Sequence, residues 1–188
     1  QKTVYDAVKA VDYSCQVLIP GFVWFPADPV PITAETRIAD YLNLTVLGGV
    51  TKNFADAFNF HFYRNTTDIN YLDKMCQQAQ ATLSLVSKNS WPIFLTEVGH
   101  LPNSLSEAQK IDNIKRWLMV SAAYGFSLCG LYSHEDAVTL GSPATSALVS
   151  AAIDDTYRKL TRRTIKQCSI LADGTVWLMF SDYSTMRV

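Results

Sequence analysis

A carboxylate at the end of an apolar run is the first feature of this sequence that bears on chemistry. In Pro92-Ile93-Phe94-Leu95-Thr96-Glu97-Val98-Gly99-His100, three apolar residues lead into Thr-Glu and then Gly. A short apolar run bounded by Pro and Gly reads as a buried strand. With a period of two, Ile93, Leu95 and Glu97 share one face, while Phe94 and Thr96 take the other. Glu97 thus closes an apolar row, where a charge is costly unless it is paired. Strand ends are where parallel α/β proteins build their sites. The alternative is a strand-end Glu that caps the next helix or bonds a neighbouring loop.

A second group of chemically able side chains falls in the run from Ala57 to Tyr63. Phe58, Phe60 and Phe62 occupy one face of this strand, and Asn59, His61 and Tyr63 the other. A row of hydrogen-bonding groups is unusual in a strand that a parallel sheet covers on both sides. His61 and Tyr63 read either as ligand-facing groups or as satisfied interior polar residues. The segment holding Phe22, Trp24, Phe25, Pro26, Pro29 and Pro31 is too apolar for an ordinary solvated loop. It packs down as a lid or lines a cleft. His134-Glu135-Asp136 carries metal-capable side chains, but consecutive residues rarely converge on one ion, so no metal centre is expected. Without GxGxxG, GxxxxGK[ST] or GxSxG, phosphate cradles and nucleophile-elbow hydrolases lose support, and no cofactor is expected.

The elements that position these residues alternate. Val4, Ala7, Val8 and Val11 predict a helix from about Thr3 to Tyr13. Cys15 to Ile19 reads as a buried strand stopped by Pro20-Gly21, and Thr33 caps a helix through Tyr41. Gly48-Gly49 breaks the chain. Ile69, Leu72, Cys76, Ala79, Leu83 and Val86 form one apolar stripe on a helix from about Asp68 to Lys88. Ser104-Leu105-Ser106-Glu107 has capping-box spacing, opening a helix that ends near Tyr124 with Gly125 as its C′ residue. A strand from Ser127 to Tyr132 follows, then a helix from about Ala144 to Arg163. Its basic end, Arg158 to Arg163, reads as a solvated face. Cys168 to Ala172 and Thr175 to Phe180 flank Asp173-Gly174, a two-residue hairpin signal. Strands starting near 15, 57, 93 and 127 and alternating with helices imply a parallel sheet. The choice lies between a small open doubly wound α/β sheet and the second half of a (β/α)8 barrel.

Composition sets the outer limits. The chain has 188 residues, of which 48% are hydrophobic and 18% charged, with a formal net charge of −1. That suits one well-buried domain and argues against nucleic acid or an anionic membrane as partner. No apolar run approaches the ~20 residues of a membrane span. Gln1 is not an initiator Met and no signal-like segment follows, so the chain is expected to begin inside a longer precursor. The sequons at Asn43 and Asn65 point to glycosylation and hence to a secreted, extracellular protein. Cys15, Cys76, Cys129 and Cys168 show no CxxC pairing, and most sit in apolar patterns that suit buried free thiols.

Phe60-His61-Phe62-Tyr63, Pro92 to Gly99 with its Thr-Glu-x-Gly ending, and Gly130-Leu131-Tyr132 together resemble the last strands of a retaining glycoside hydrolase. The group is the clan of (β/α)8 enzymes with catalytic glutamates after strands four and seven. The resemblance covers about residues 15 to 163 and implies strands five to eight, with a partial barrel over 1–165. The hairpin over 166–188 would then start a C-terminal β domain, which is common in that clan. It further implies that Glu97 is the nucleophile, with His61 and Tyr63 lining the adjacent subsite. Trp24, Tyr132 and His134 would contact a glycan or glycoside substrate. The clan's acid/base glutamate follows an Asn at the end of strand four, and no Asn-Glu occurs here. Either the proton donor lies on an N-terminal half-barrel segment or partner chain, or the scaffold is a non-catalytic carbohydrate-binding or structural protein. The chain alone is then expected to be inactive, with Glu135 as the internal rival for the acid.

Overall fold

The computed structural model describes residues 1–23, 42–43, 45–46, 49–63, 69–99, 105–131 and 146–188. The expected helix over 33–41 lies outside the described residues. In chain order the elements are α1 (Lys2–Val11), β1 (Phe22–Val23), β2 (Thr45–Val46), β3 (Gly49–Val50), β4 (Phe58–Tyr63) and α2 (Asn70–Leu85). They continue as β5 (Ile93–Gly99), α3 (Glu107–Ala123), β6 (Leu128–Leu131), α4 (Ser146–Leu160), β7 (Ile165–Ile170), β8 (Val176–Phe180) and β9 (Thr185–Arg187).

The main sheet runs β1-β4-β5-β6, with every pairing parallel. Each strand lies beside the strand of this sheet that precedes it in the chain, with β2 and β3 forming a separate hairpin. A doubly wound sheet reverses its order about a switch point, whereas barrel staves follow one another. The architecture is therefore α/β, half of a (β/α)8 barrel followed by a β appendage. The first stave differs in detail from the expected Cys15–Ile19 strand. Leu18 bridges Ala57, and Phe22 and Val23 then pair with Phe60 and His61. Pro20-Gly21 interrupts this stave instead of ending it, because Pro has no N–H to give the ladder.

The helical layer forms as the apolar spacing predicts. All six residues of the α2 stripe are buried, with Leu72, Cys76 and Ala79 fully so. Phe58, Phe60 and Phe62 bury against this layer, with edge-on contacts from Phe60 to Phe126 and from Phe62 to Trp117. Both helices end in Schellman turns. In α3, Phe126 N–H donates to the Ser121 carbonyl and Gly125 N–H to that of Ala122, with Gly125 at φ 69°. In α2, Lys88 N–H reaches Leu83 and Ser87 takes the left-handed position at φ 58°. The start of α3 corrects the expected capping box. Its N-cap is Ser106, bonded reciprocally with Gln109, two residues on from Ser104, because the sequence offers two overlapping Ser-x-x-acceptor patterns.

Helix α1 behaves differently, since it buries none of its residues and leaves Val4 and Val11 exposed. Its polar side anchors it: Lys9 Nζ lies 2.9 Å from Asp56 Oδ2, which also accepts the Val17 backbone N–H at 2.9 Å.

The tail is a three-stranded antiparallel sheet, β7-β8-β9. Its third strand, of three residues, and the two-residue strands β2 and β3 are too short for a period to be read from sequence. The turn after β7 is a three-residue loop, not the expected two-residue one. Leu171 N–H donates to Thr175, Gly174 N–H donates back to Leu171, and Gly174 sits at φ 81°. That is a type I turn completed by a left-handed Gly. Val176, Leu178 and Phe180 are fully buried and join the same apolar cluster as the helices of the main sheet.

Candidate active site

The strand pairing decides which face Glu97 occupies. Phe60 pairs with Leu95, but His61 pairs with Glu97, so Thr96 is an extra residue in β5. This β-bulge inverts the expected alternation, because an unpaired residue shifts every later side chain to the other face. Ile93 and Leu95 bury under the helices, and Val98 rejoins them beyond the bulge. Glu97 therefore leaves that row and joins Asn59, His61 and Tyr63 on the inner face, turned away from α2 and α3. The expectation that Glu97 shares a face with Ile93 and Leu95 is corrected accordingly.

On the inner face the groups converge at the C-terminal ends of β4 and β5. The Tyr63 phenol donates a hydrogen bond to Glu97 Oε2. His61 Nδ1 lies 3.3 Å from the same oxygen. One step below, Thr96 Oγ1 donates to Asn59 Oδ1 at 2.6 Å, which satisfies the buried Asn59 amide oxygen. The Glu97 side chain remains 36% exposed and His61 18%, so the carboxylate is held by donors yet open to a ligand. Both contacts fall on one oxygen of the Glu97 carboxylate. Its other oxygen, Oε1, can then act as a nucleophile or general base.

Gly21 is part of this arrangement and was not singled out by sequence. A β-carbon built on it would stand 2.2 Å from His61 Nε2. The imidazole therefore packs directly on the Gly21 backbone just before β1, which fixes the edge it presents to Glu97. The available signal was a Gly in the middle of an apolar stave, which marks close approach of another group.

Trp24, Tyr132, His134 and Glu135 lie outside the described residues, as does Asn65. Asn43 is described: it is exposed, and its side-chain oxygen accepts from Lys52 Nζ at 2.8 Å. Among the cysteines, Cys76 is buried, Cys129 and Cys168 are partly covered, and Cys15 is exposed, all as free thiols. Burial pushes the Cys129 thiol up to about 11, against a smaller opposing pull from the Ser121 hydroxyl. Cys129 is thus no thiolate nucleophile at neutral pH.

No protein-family model matches this sequence, and no curated protein matches it. Two solved structures are similar. A glucosidase from Croceicoccus marinus superposes with a TM-score of 0.57 at 16% identity, covering 98% of this chain and 43% of that one. An endo-beta-1,4-mannanase from Thermotoga petrophila gives a TM-score of 0.45 at 12% identity, with 97% and 46% covered. The first likeness concerns the fold alone, and the second carries no argument. The chain spans less than half the length of the solved structures it matches.

Proposed function

We propose that this chain supplies strands five to eight of a retaining glycoside hydrolase barrel and that Glu97 is its nucleophile. What carries the reading is the convergence of Tyr63 and His61 on one oxygen of Glu97 at the C-terminal ends of adjacent parallel strands. Barrel enzymes place their sites at that end. The glucosidase fold likeness supports the same class of activity.

In this mechanism Oε1 of Glu97, free of the Tyr63 and His61 contacts, attacks the anomeric carbon of a β-linked glycan. The bond to the leaving oxygen breaks as a second carboxyl group, about 5–5.5 Å from Glu97, protonates that oxygen. Water, deprotonated by the same group, then releases the sugar from Glu97. The second carboxyl is assigned to an N-terminal half-barrel segment or companion chain, since this sequence holds no Asn-Glu. Trp24, Tyr132 and His134 are assigned to the walls of the sugar subsites. Secretion and glycosylation at Asn43 and Asn65 complete the proposal.

The same absence of Asn-Glu favours a second reading, a non-catalytic carbohydrate-binding scaffold. Aryl β-glycoside turnover separates the two. The isolated chain is expected to be inert and the completed barrel active, with activity abolished by Glu97→Gln. Oligosaccharide binding by a completed barrel that never turns over would favour the second reading.

A further inference from the structure

The site works only if Glu97 faces inward, and the bulge at Thr96 is what turns it there. The strand on the far side of β5 shows the same irregularity. Leu95 pairs with Cys129 and Val98 with Leu131, so Thr96 and Glu97 together oppose the single residue Gly130. A β-carbon built on Gly130 would meet the Thr96 carbonyl oxygen at 2.4 Å and its carbon at 3.1 Å. Both are backbone atoms and cannot swing aside as a side chain would. The extra peptide group of the bulge therefore occupies the volume that any side chain at 130 would fill.

We propose that Gly130 is a positioning residue for the site: by leaving room for the Thr96 peptide, it permits the bulge that presents Glu97 to His61 and Tyr63. The inference rests on reading Glu97 as the functional carboxylate, but its physical content is separate. With Ala at 130 the regular ladder is favoured, and period-two alternation then sends Glu97 toward the helical layer with Ile93 and Leu95. Deleting Thr96 removes the extra residue instead. The strand then runs from Leu95 straight to Glu97, which keeps Glu97 inward with no bulge to accommodate.

This gives a compensation test on the full chain, read by the ring signals of His61 and Tyr63 in NMR. The chain has only three histidines, so His61 is readily assigned by His61→Gln. Glu97→Gln defines the signal positions when no carboxylate stands beside the rings. Thr96→Ala, which keeps the bulge and loses the bond to Asn59, controls for that hydrogen bond. Gly130→Ala is expected to move both ring signals away from the wild-type positions, with the His61 signals approaching those of Glu97→Gln. Adding the Thr96 deletion is expected to restore them. Wild-type ring signals in Gly130→Ala, or failure of the deletion to restore them, would overturn the proposal. If Gly130→Ala alone does not fold, the doubly altered chain decides: folded with wild-type-like signals supports it, and any other result refutes it. No turnover enters these readouts. A completed barrel that stays active as Glu97→Gln would sink the glycosidase reading and leave this one standing.

Discussion

Tyr63→Phe removes the phenol that donates to Glu97 Oε2. A hydrogen bond to a charged group is worth about 1.5–3 kcal/mol. In a completed barrel, kcat is therefore expected to fall by roughly 10- to 150-fold, at 1.4 kcal/mol per tenfold. Steady-state kinetics on an aryl glycoside checks this; an unchanged kcat would remove Tyr63 from the site. The types of Glu97, His61 and Tyr63 were legible in the sequence because each sits at a strand end among apolar neighbours. The face of Glu97 was not legible, because one unpaired residue at Thr96 defeats a period-two argument that was otherwise sound. Gly130 was visible as a residue and unreadable as a signal, since its meaning depends on the carbonyl of a different strand.

At the scale of elements, the helices that carry β5 and β6 are set by their ends. Ser106 caps α3, and Ser106→Ala is expected to cost about 1 kcal/mol. Gly125 has open space where a β-carbon would go but sits at φ 69°, so Gly125→Ala costs about 1 kcal/mol from the left-handed backbone alone. The two sites lie at opposite ends of α3, and their effects on the urea midpoint should add. Helix α1 is held by charge instead of burial. Burial raises the Asp56 pKa, but the Val17 N–H and Lys9 ammonium outweigh it and hold the carboxyl below its ordinary value. A depressed folded value means that this stabilisation is present above the unfolded value of about 3.9. It is lost as pH falls from there through the folded value. Amide exchange in α1 is expected to accelerate over that acid window, and Asp56→Asn to show fast exchange at neutral pH with no acid step. The apolar spacing of Val4, Ala7, Val8 and Val11 correctly foretold a helix; its exposure was not legible, since periodicity reports which face is apolar and not what covers it.

Across the whole molecule, the order of the main sheet was legible because short βα connections force each strand beside its predecessor. The third strand of the appendage was not, as Thr185–Arg187 is short and polar and takes its place by pairing with β8. The appendage is tied to the helical layer. Arg163 lies 3.5 Å from the centre of the Phe180 ring and reaches Asp182 and Ser184. Phe180→Ala is expected to destabilise the chain by about 3–5 kcal/mol, measured by urea unfolding; a loss below 1 kcal/mol would show that the cluster does not extend into the tail. Among the described residues, β1 and β6 are the outer strands of the parallel sheet, and their free edges are where the proposed first half of the barrel would pair. The central claim is that Glu97 forms a covalent bond to sugar in that completed barrel. Incubating native protein that carries this sequence with an activated 2-deoxy-2-fluoro β-glycoside, followed by peptide mass mapping, tests it most directly. The account predicts one added sugar mass on the peptide containing Glu97, lost in Glu97→Gln. Turnover with no adduct and with inverted anomeric configuration, or an adduct on any other residue, would contradict it.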